Sequence, residues 1–382
     1  MGCPVRERTG RRKGTEMPDQ SSFTRRGFLK GLAGACALGA TGALVGCGGS
    51  SSDSSSSSDS SDSSATTSGT THKVEMVTDT GGVNDQSFNQ ISWSGLQKLQ
   101  QDEGWDVSYL ESKQESDYAT NLDKAVDDDA ELIWAIGFAM ADAVGNAAKA
   151  NPDVQFGIID NANPTDASNI TGVQFRAQES SFIVGYIAAC VSKTGMVGNV
   201  LGVESDVLRQ FEFGYKAGVA YANKEKGLNV QCESQYAESF GDAAKGSSIT
   251  QRMVSDGCDV VFQAAGGTGV GVINACKDAG IYAIGADMDQ SYLAEGTVLT
   301  SALKEVDVAV VDVSKRLLSG DLKGGSNITL GLSDDAVGIP EDYSLMGEDV
   351  YNDALAVEEL IKSGDIVPPA TSDDYDKFVA SL

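Results

Sequence analysis

The feature that most constrains the fold is a regular alternation of short apolar runs with stretches of helical periodicity. The stretch Phe88–Leu99, for example, places apolar residues on one helix face, at positions 88, 91, 96 and 99. Strands that alternate with helices in this way form parallel sheets covered by helices. The first run predicts strands at Val74–Asp79, Trp105–Leu110, Leu132–Gly137, Phe156–Asp160 and Ile170–Phe175, and helices at Phe88–Leu99, Tyr118–Asp129 and Asp142–Ala150.

A second run of the same alternation follows, which indicates an α/β fold of two lobes with a boundary near Phe175–Ser180. The chain is long enough for both lobes. The second run predicts strands at Met196–Val203, Leu228–Tyr236, Asp259–Ala264 and Ile281–Ala286, and helices at Phe182–Val191, Val207–Asn223, Gly241–Ser255 and Gly269–Asp278.

The last part of the chain is expected to pass back and forth between the lobes. Val298–Ser301 and a helix at Glu305–Leu318 would return the chain to the first lobe. Ile328–Leu332 would then cross again, and a helix at Glu348–Ile361 would close the second lobe. The predicted N-terminal lobe is therefore 72–176 plus about 300–327, and the predicted C-terminal lobe is 177–299 plus about 328–382.

The first 46 residues have the features of an export signal. Thr24–Lys30 is a twin-arginine signal, and the Gly- and Ala-rich stretch that follows it is too short to span a bilayer. The stretch ends in Gly46-Cys47, which predicts cleavage by a lipoprotein signal peptidase and acyl chains on Cys47. We expect 1–46 to be removed and 47–71, rich in Ser and Asp, to be a disordered tether.

Composition excludes several classes of function. The chain has 28 Lys and Arg against 55 Asp and Glu, a net charge of −27, whereas nucleic acids select basic surfaces. Its only histidine is His72, which argues against a catalytic or zinc-binding histidine. The cysteines at 190, 232, 258 and 276 are expected to be small buried thiols, and a Cys232–Cys258 disulfide is the alternative.

Polar and aromatic residues gather where the predicted strands end. Ligands of open α/β sheets bind outside the carboxyl ends of the strands, so these residues are expected to form one site. Carboxylates and an ammonium fix hydroxyl groups by charge-assisted hydrogen bonds, and phenylalanine rings offer a flat face to a planar ligand. The candidate residues are Asp79, Asn84, Phe88, Asp160, Phe240, Gly266, Gly267, Asp287 and Lys304. The strand ends also carry Gly137-Phe138 and Asp289-Gln290.

This set fits a neutral, polyhydroxylated ligand with an aromatic part. The alternative roles are helix capping for the aspartates and core packing for Phe88 and Phe240.

Several motifs are similar to one known family. Asp79–Gln90 reads DTGGVNDQSFNQ and is followed by Trp93-Ser-Gly-Leu96. This run resembles the opening signature of the basic membrane protein family, substrate-binding lipoproteins of ABC transporters whose best-understood members bind purine nucleosides. Further agreement comes from Ser239-Phe240-Gly-Asp242, Gly266-Gly-Thr-Gly269 and Gly285-Ala-Asp287-Met-Asp289-Gln290, and the similarity covers residues 73–335.

The resemblance implies a type I periplasmic-binding-protein fold, in which two Rossmann-like lobes with parallel sheets close on the ligand about a hinge. In nucleoside-binding members two phenylalanines stack on the base, and the motifs match them to Phe88 and Phe240. The other matching positions are Asp79, Asp287 and Lys304 for the ribose hydroxyls, Gly266 or Gly267 for a backbone contact, and Asp160 for the base.

We therefore expect a monomeric, lipid-anchored solute-binding protein of an ABC importer on the extracytoplasmic face of the cell membrane. It would use no cofactor, catalyse no reaction, and deliver purine nucleosides to a permease with its ATPase. A sugar-binding protein of the same fold and a ligand-sensing lipoprotein are the alternatives. A dinucleotide-dependent enzyme is disfavoured because Val272 replaces the third glycine of the G-x-G-x-x-G pattern that Gly267 would begin.

Overall fold

The structure, a computed structural model, describes residues 71–382. The predicted signal peptide, Cys47 and all but the last residue of the predicted tether lie outside the described residues. Within the described range, no helix is both long enough and apolar enough to cross a membrane. This part of the chain forms two six-stranded sheets, each packed against helices.

The first sheet is built mainly from the N-terminal half of the described chain. Its strands are β1 (Lys73–Val77), β2 (Asp106–Leu110), β3 (Leu132–Ile136), β4 (Gln155–Ile159), β5 (Ile170–Phe175) and β11 (Asn327–Leu330). All of them run parallel, in the order β11-β5-β4-β3-β1-β2. The central strand β3 is buried at every position, as expected for a parallel strand covered on both faces.

The second sheet repeats this arrangement. Its strands are β6 (Met196–Leu201), β7 (Gln231–Tyr236), β8 (Val260–Ala264), β9 (Tyr282–Asp287), β10 (Val298–Lys304) and β12 (Val337–Gly338). The order is β12-β10-β9-β8-β6-β7, and β12 pairs antiparallel with β10 at the edge while the other neighbours are parallel. We refer to the parts of the chain built on these sheets as the first lobe and the second lobe.

Ten α-helices connect or cover the strands in the described range. They are α1 (Phe88–Glu103), α2 (Asp117–Asp127), α3 (Ala141–Ala150), α4 (Ala177–Val191), α5 (Asp206–Lys226), α6 (Ala243–Ser255), α7 (Gly267–Ala279), α8 (Val306–Ser319), α9 (Glu348–Ser363) and α10 (Ser372–Ser381). Local chemistry sets their ends. In α5, for example, the Ser205 hydroxyl accepts from the Leu208 N–H, and Gly227 ends the helix in a left-handed conformation.

Helices α4 and α5 pack against each other without room for side chains at two positions. A Cβ atom added at Gly185 would lie 2.1 Å from the Tyr215 carbonyl oxygen, and one at Gly218 would lie 2.0 Å from the Phe182 carbonyl oxygen. The two glycines therefore let the helix backbones approach each other, and this packing supports the second sheet.

The path of the chain after β9 differs from the prediction. Val298–Ser301 does not lead back to the first lobe, because β10 continues to Lys304 and pairs with β9 in the second sheet. The return begins only with α8, where Ser314 accepts a hydrogen bond from the indole N–H of Trp134 at 2.9 Å. Hydrophobic periodicity identifies a strand but does not name the sheet that it joins.

The second crossing also comes later than predicted. Strand β11 pairs with β5 in the first sheet, so Ile328–Leu330 belongs to the first lobe and not to the second. The chain re-enters the second sheet with β12. The C-terminal contribution to the first lobe is therefore 306–330 rather than about 300–327.

The cysteines of the described chain are free thiols. Cys258 and Cys276 are buried, whereas Cys190 and Cys232 are partly exposed. The alternative prediction of a Cys232–Cys258 disulfide is therefore wrong.

Candidate functional site

The carboxyl ends of the two sheets face a common pocket. Asp79 and Asp160 follow β1 and β4 of the first sheet, while Asp287 and Lys304 end β9 and β10 of the second. This is the position at which open α/β sheets bind ligands. The space between the atoms that line this pocket, open solvent included, is about 470 Å³. It is lined by Asp79, Asp85, Phe88, Gly137, Phe138, Asp160, Val207, Leu208, Phe211, Phe240, Ala264, Gly266, Asp287 and Lys304.

A buried lysine connects the two lobes inside this pocket. Lys304 is only 2% exposed, and its Nζ lies 2.7 Å from Asp160 Oδ2 and 3.7 Å from Asp287 Oδ1. Asp160 belongs to the first lobe, whereas Asp287 and Lys304 belong to the second. One ammonium thus compensates two buried carboxylates, each of which would be costly to bury alone.

The two aspartates that contact Lys304 share an unusual backbone conformation. Asp160 has φ = 65° and Asp287 has φ = 66°, in the left-handed region that aspartate tolerates better than most residues do. At the carboxyl ends of β4 and β9, a left-handed aspartate thus places its carboxylate against the ammonium.

The carboxylate of Asp79 is fixed by the loop that follows β1. Its Oδ1 accepts hydrogen bonds from the Gly81 N–H at 2.8 Å and from Asn89 Nδ2 at 2.7 Å. The backbone N–H of Asp79 donates to Asn89 Oδ1 at 3.2 Å. Its Oδ2 has no hydrogen-bond partner among the described residues, so this oxygen can accept from a ligand.

Asp85 caps α1 from within the pocket. Its Oδ1 accepts from the backbone N–H groups of Ser87 and Gln90, and its Oδ2 accepts from the backbone N–H and the Nδ2 of Asn89. A negative charge is favoured at this end of a helix. The capping role that the sequence left open for the aspartates thus applies to Asp85.

Burial opposes ionisation of several site carboxyls. Burial raises the pKa of Asp85 to about 7, although the N–H groups that donate hydrogen bonds to this carboxyl lower its pKa. It also raises the pKa of Asp79, opposed by the hydrogen bond from Asn89, and the pKa of Asp160, opposed by Lys304. Each carboxylate that stays charged therefore needs hydrogen-bond donors inside the pocket.

Four phenylalanines supply the apolar surface, two from each lobe. Lys304 Nζ lies 4.5 Å from the centroid of the Phe88 ring, an attractive cation–π distance. Phe138 of the first lobe meets Phe240 of the second edge to face, with centroids 6.5 Å apart and planes at 71°. Phe211, in the second turn of α5, lines the pocket from the second lobe.

Two predicted residues do not line the pocket. The side chain of Asn84 is exposed, because the neighbouring Asp85 takes the inward position as the helix cap. Gly267 begins α7 beside the lining residue Gly266, and a Cβ atom there would lie 3.2 Å from the Phe240 carbonyl oxygen. The structure brings the other seven predicted residues together in the pocket.

Six lining side chains were not among the candidate residues from the sequence: Asp85, Phe138, Val207, Leu208, Phe211 and Ala264. Asp85 lies inside the motif at 79–90, and Phe138 lies at a predicted strand end, so both positions carried a signal. The first turns of α5 carried no such signal. Helical periodicity shows which face of a helix is buried, but it does not show whether that face packs on a sheet or lines a pocket.

Comparison with known proteins agrees with this architecture. The family model described as "ABC transporter substrate-binding protein PnrA-like" matches residues 72–372. The chain is similar to a crystal structure of ABC transporter solute-binding proteins from Aeropyrum pernix K1, with a TM-score of 0.74 and 27% identity, over 81% of this chain and 97% of that chain. The prediction of a two-lobed α/β binding-protein fold is confirmed.

Two curated relatives are similar over most of their length. The CD4+ T-cell-stimulating antigen of Listeria monocytogenes is 40% identical over 78% of this chain and 87% of its own. The ABC transporter nucleoside-binding protein BmpA of Lactococcus lactis subsp. cremoris is 37% identical over 72% of this chain and 85% of its own. The predicted family is therefore confirmed. The chain belongs to the Bmp family of PnrA-like substrate-binding proteins of ABC transporters.

Proposed function

We propose that the protein captures purine nucleosides between its two lobes and delivers them to an ABC permease. The observation that carries this proposal is a pocket at the meeting of two parallel sheets, in which phenylalanine rings from both lobes surround buried carboxylates. The relative from Lactococcus lactis is named a nucleoside-binding protein, which supports the same ligand class.

The charges of the pocket favour an unphosphorylated ligand. Four aspartates line it, and Lys304 is the only cationic side chain among the described lining residues. Ribose hydroxyls and the N–H groups of a base would donate to these carboxylates, and Asp79 Oδ2 and Asp287 are suited to the ribose. A phosphate would instead meet like charge in a buried site.

The rings of the pocket favour a planar group. Phe88 would stack on one face of the base, and Phe240 would contact it from the opposite lobe, with Phe138 and Phe211 closing the apolar part. Because the contacts come from both lobes, the ligand would stabilise the closed arrangement over the open one. A permease would then recognise the closed form.

We also propose export by the twin-arginine pathway and lipid anchoring through Cys47, which would hold a monomeric binding protein outside the membrane. The run Gly46-Cys47 at the end of the apolar stretch supports this assignment.

Calorimetric titration tests the ligand assignment. Adenosine, guanosine or inosine should bind in the micromolar range or tighter, equivalent to about −8 kcal/mol or better, whereas adenosine monophosphate should bind much more weakly. Binding of a monosaccharide in place of every nucleoside would identify a sugar-binding protein of the same fold. Absence of heat with all nucleosides contradicts the proposal.

Substitution of Phe88 tests the stacking contact. Phe88→Ala should weaken nucleoside binding about 5- to 150-fold, because base–aromatic stacking contributes about 1–3 kcal/mol per base. Phe88→Trp, which keeps a flat ring, is the matched control and should retain most of the affinity. Equal affinity of wild type and Phe88→Ala would exclude a stacking role.

A further inference from the structure

Four residues that do not line the pocket join the two lobes directly. Gln86 and Ser87 precede α1 in the first lobe, while Gln290 and Tyr292 follow β9 in the second lobe. We call these four residues the interlobe latch. Their contacts with each other and with Asp287 are direct side-chain and backbone hydrogen bonds that need no ligand.

Gln290 reaches across the cleft from a fixed position. It is fully buried, and its Oε1 accepts from Gln263 Nε2 at 2.7 Å and from the Ala286 N–H at 3.1 Å. These two bonds orient the carboxamide within the second lobe. Its Nε2 then donates to the Gln86 carbonyl oxygen of the first lobe at 2.7 Å.

Within the interlobe latch, Ser87 is the residue that contacts a side chain of the pocket. Its buried Oγ lies 2.5 Å from Asp287 Oδ2 and 3.2 Å from the Ala286 carbonyl oxygen, and it can donate to the carboxylate. Asp287 lines the pocket through the same carboxyl group whose Oδ1 faces Lys304. The first lobe thus holds a pocket carboxylate of the second lobe when the two lobes meet.

Tyr292 completes the set at the rim of the cleft. Its side chain is 54% exposed, so it adds little to a core, yet its hydroxyl donates to Gln86 Oε1 at 3.0 Å. Gln86 has φ = 58°, a left-handed conformation that is costly for most residues other than glycine. In this conformation the turn presents both the carbonyl oxygen and the side-chain oxygen of Gln86 to donors of the second lobe.

We propose that the interlobe latch sets the equilibrium between closed and open lobes, and that it thereby sets how long a ligand stays bound. The four residues act as positioning residues, because they stabilise the closed form without lining the pocket. The effect on ligand release rests on the proposed function, whereas the effect on lobe closure is independent of ligand identity.

Two substitutions test the role of the interlobe latch. Tyr292→Phe removes one hydroxyl at an exposed position, and Gln290→Glu replaces the donor that faces the Gln86 carbonyl with an acceptor. Tyr343→Phe is the matched control, since this second-lobe tyrosine is 45% exposed and its hydroxyl has no hydrogen-bond partner among the described residues. Nucleoside dissociation is measured by stopped flow, and the radius of gyration of ligand-free protein by small-angle X-ray scattering.

Loss of one hydrogen bond of the closed form should speed nucleoside dissociation about two- to tenfold in Tyr292→Phe, and more in Gln290→Glu, at an unchanged association rate. Ligand-free Gln290→Glu should have a larger radius of gyration than wild type, and Tyr343→Phe should match wild type in both measurements. Wild-type dissociation rates and wild-type dimensions in both latch variants overturn the proposal. If wild type binds no nucleoside, the proposed function fails, and ligand-free scattering still tests the latch.

Discussion

Individual residues of the pocket are tied together by charge, and Lys304 is central to this arrangement. Its ammonium contacts a carboxylate of each lobe while it is 2% exposed. Asp79 and Asp85 add two further carboxyls whose pKa is raised by burial. The stability of the ligand-free protein is therefore linked to the protonation of its own site.

Removal of the ammonium should be strongly destabilising. Lys304→Met leaves Asp160 and Asp287 buried without their cation, and the free energy of unfolding should fall by about 3–5 kcal/mol. Lower pH should restore part of this loss, because the uncompensated carboxyls then bind protons. Urea denaturation at pH 7.5 and pH 5 measures both effects. The exposed Lys277→Met on α7 is the control, and a change no larger than in the control contradicts the ion-pair role.

Asp85 should make stability depend on pH. In the folded protein the Asp85 carboxyl has a pKa of about 7, whereas in the unfolded chain it loses its proton near pH 3.8. The contribution of Asp85 to the free energy of unfolding is therefore full at low pH and is lost as the pH rises from about 4 to 7. The difference in free energy of unfolding, wild type minus Asp85→Asn, should fall by a few kcal/mol over this range. A constant difference would show that the pKa of Asp85 is the same in the folded and unfolded states.

The sequence predicted the pocket residues well where a motif or a strand end marked them. Asp79, Asp160 and Lys304 were recognisable because each follows or ends an apolar strand. Asn84 and Asp85 are adjacent polar residues in one loop, and only the folded helix end determines which of them points inward.

At the scale of helices and strands, most elements could be predicted from hydrophobic periodicity, and their partners could not. Strand β10 was recognised but assigned to the return path, because its pairing with β9 leaves no mark in its own sequence. The close contact between α4 and α5 could not be predicted either, because the sequence around Gly218 does not show which helix packs against it.

The contact of α4 with α5 should not tolerate a methyl group. Gly218→Ala places a Cβ 2.0 Å from the Phe182 carbonyl oxygen, well inside van der Waals contact, and the resulting shift should cost about 1–3 kcal/mol or more of unfolding free energy. Gly338→Ala is the matched control, because a Cβ atom there would meet no atom within 4 Å. Thermal and urea denaturation measure both variants, and equal stabilities would contradict the close packing.

The whole described molecule is organised so that the site belongs to both lobes at once. Contacts across the cleft come from Asp160, from the interlobe latch and from the Phe138–Phe240 pair. A ligand held by these groups should stabilise the two lobes together.

Saturating nucleoside should therefore raise the stability of the entire fold in one step. At a free ligand concentration 100 times Kd, the gain should be about 2.7 kcal/mol for one site. Differential scanning calorimetry should show a single transition that moves to higher temperature. Two transitions, of which only one moves, would contradict a site shared between the lobes; a sugar that does not bind in the titration is the control.

The position of β11 has a consequence for the order in which the protein is made. The first sheet lacks its edge strand until residue 330 has left the ribosome, and the second lacks β12 until residue 338 has followed. Neither sheet can complete itself early in translation, although most strands of the first are synthesised before residue 176. The two sheets therefore reach completion within a few residues of each other, and a nascent chain interrupted before that point contains two unfinished edges.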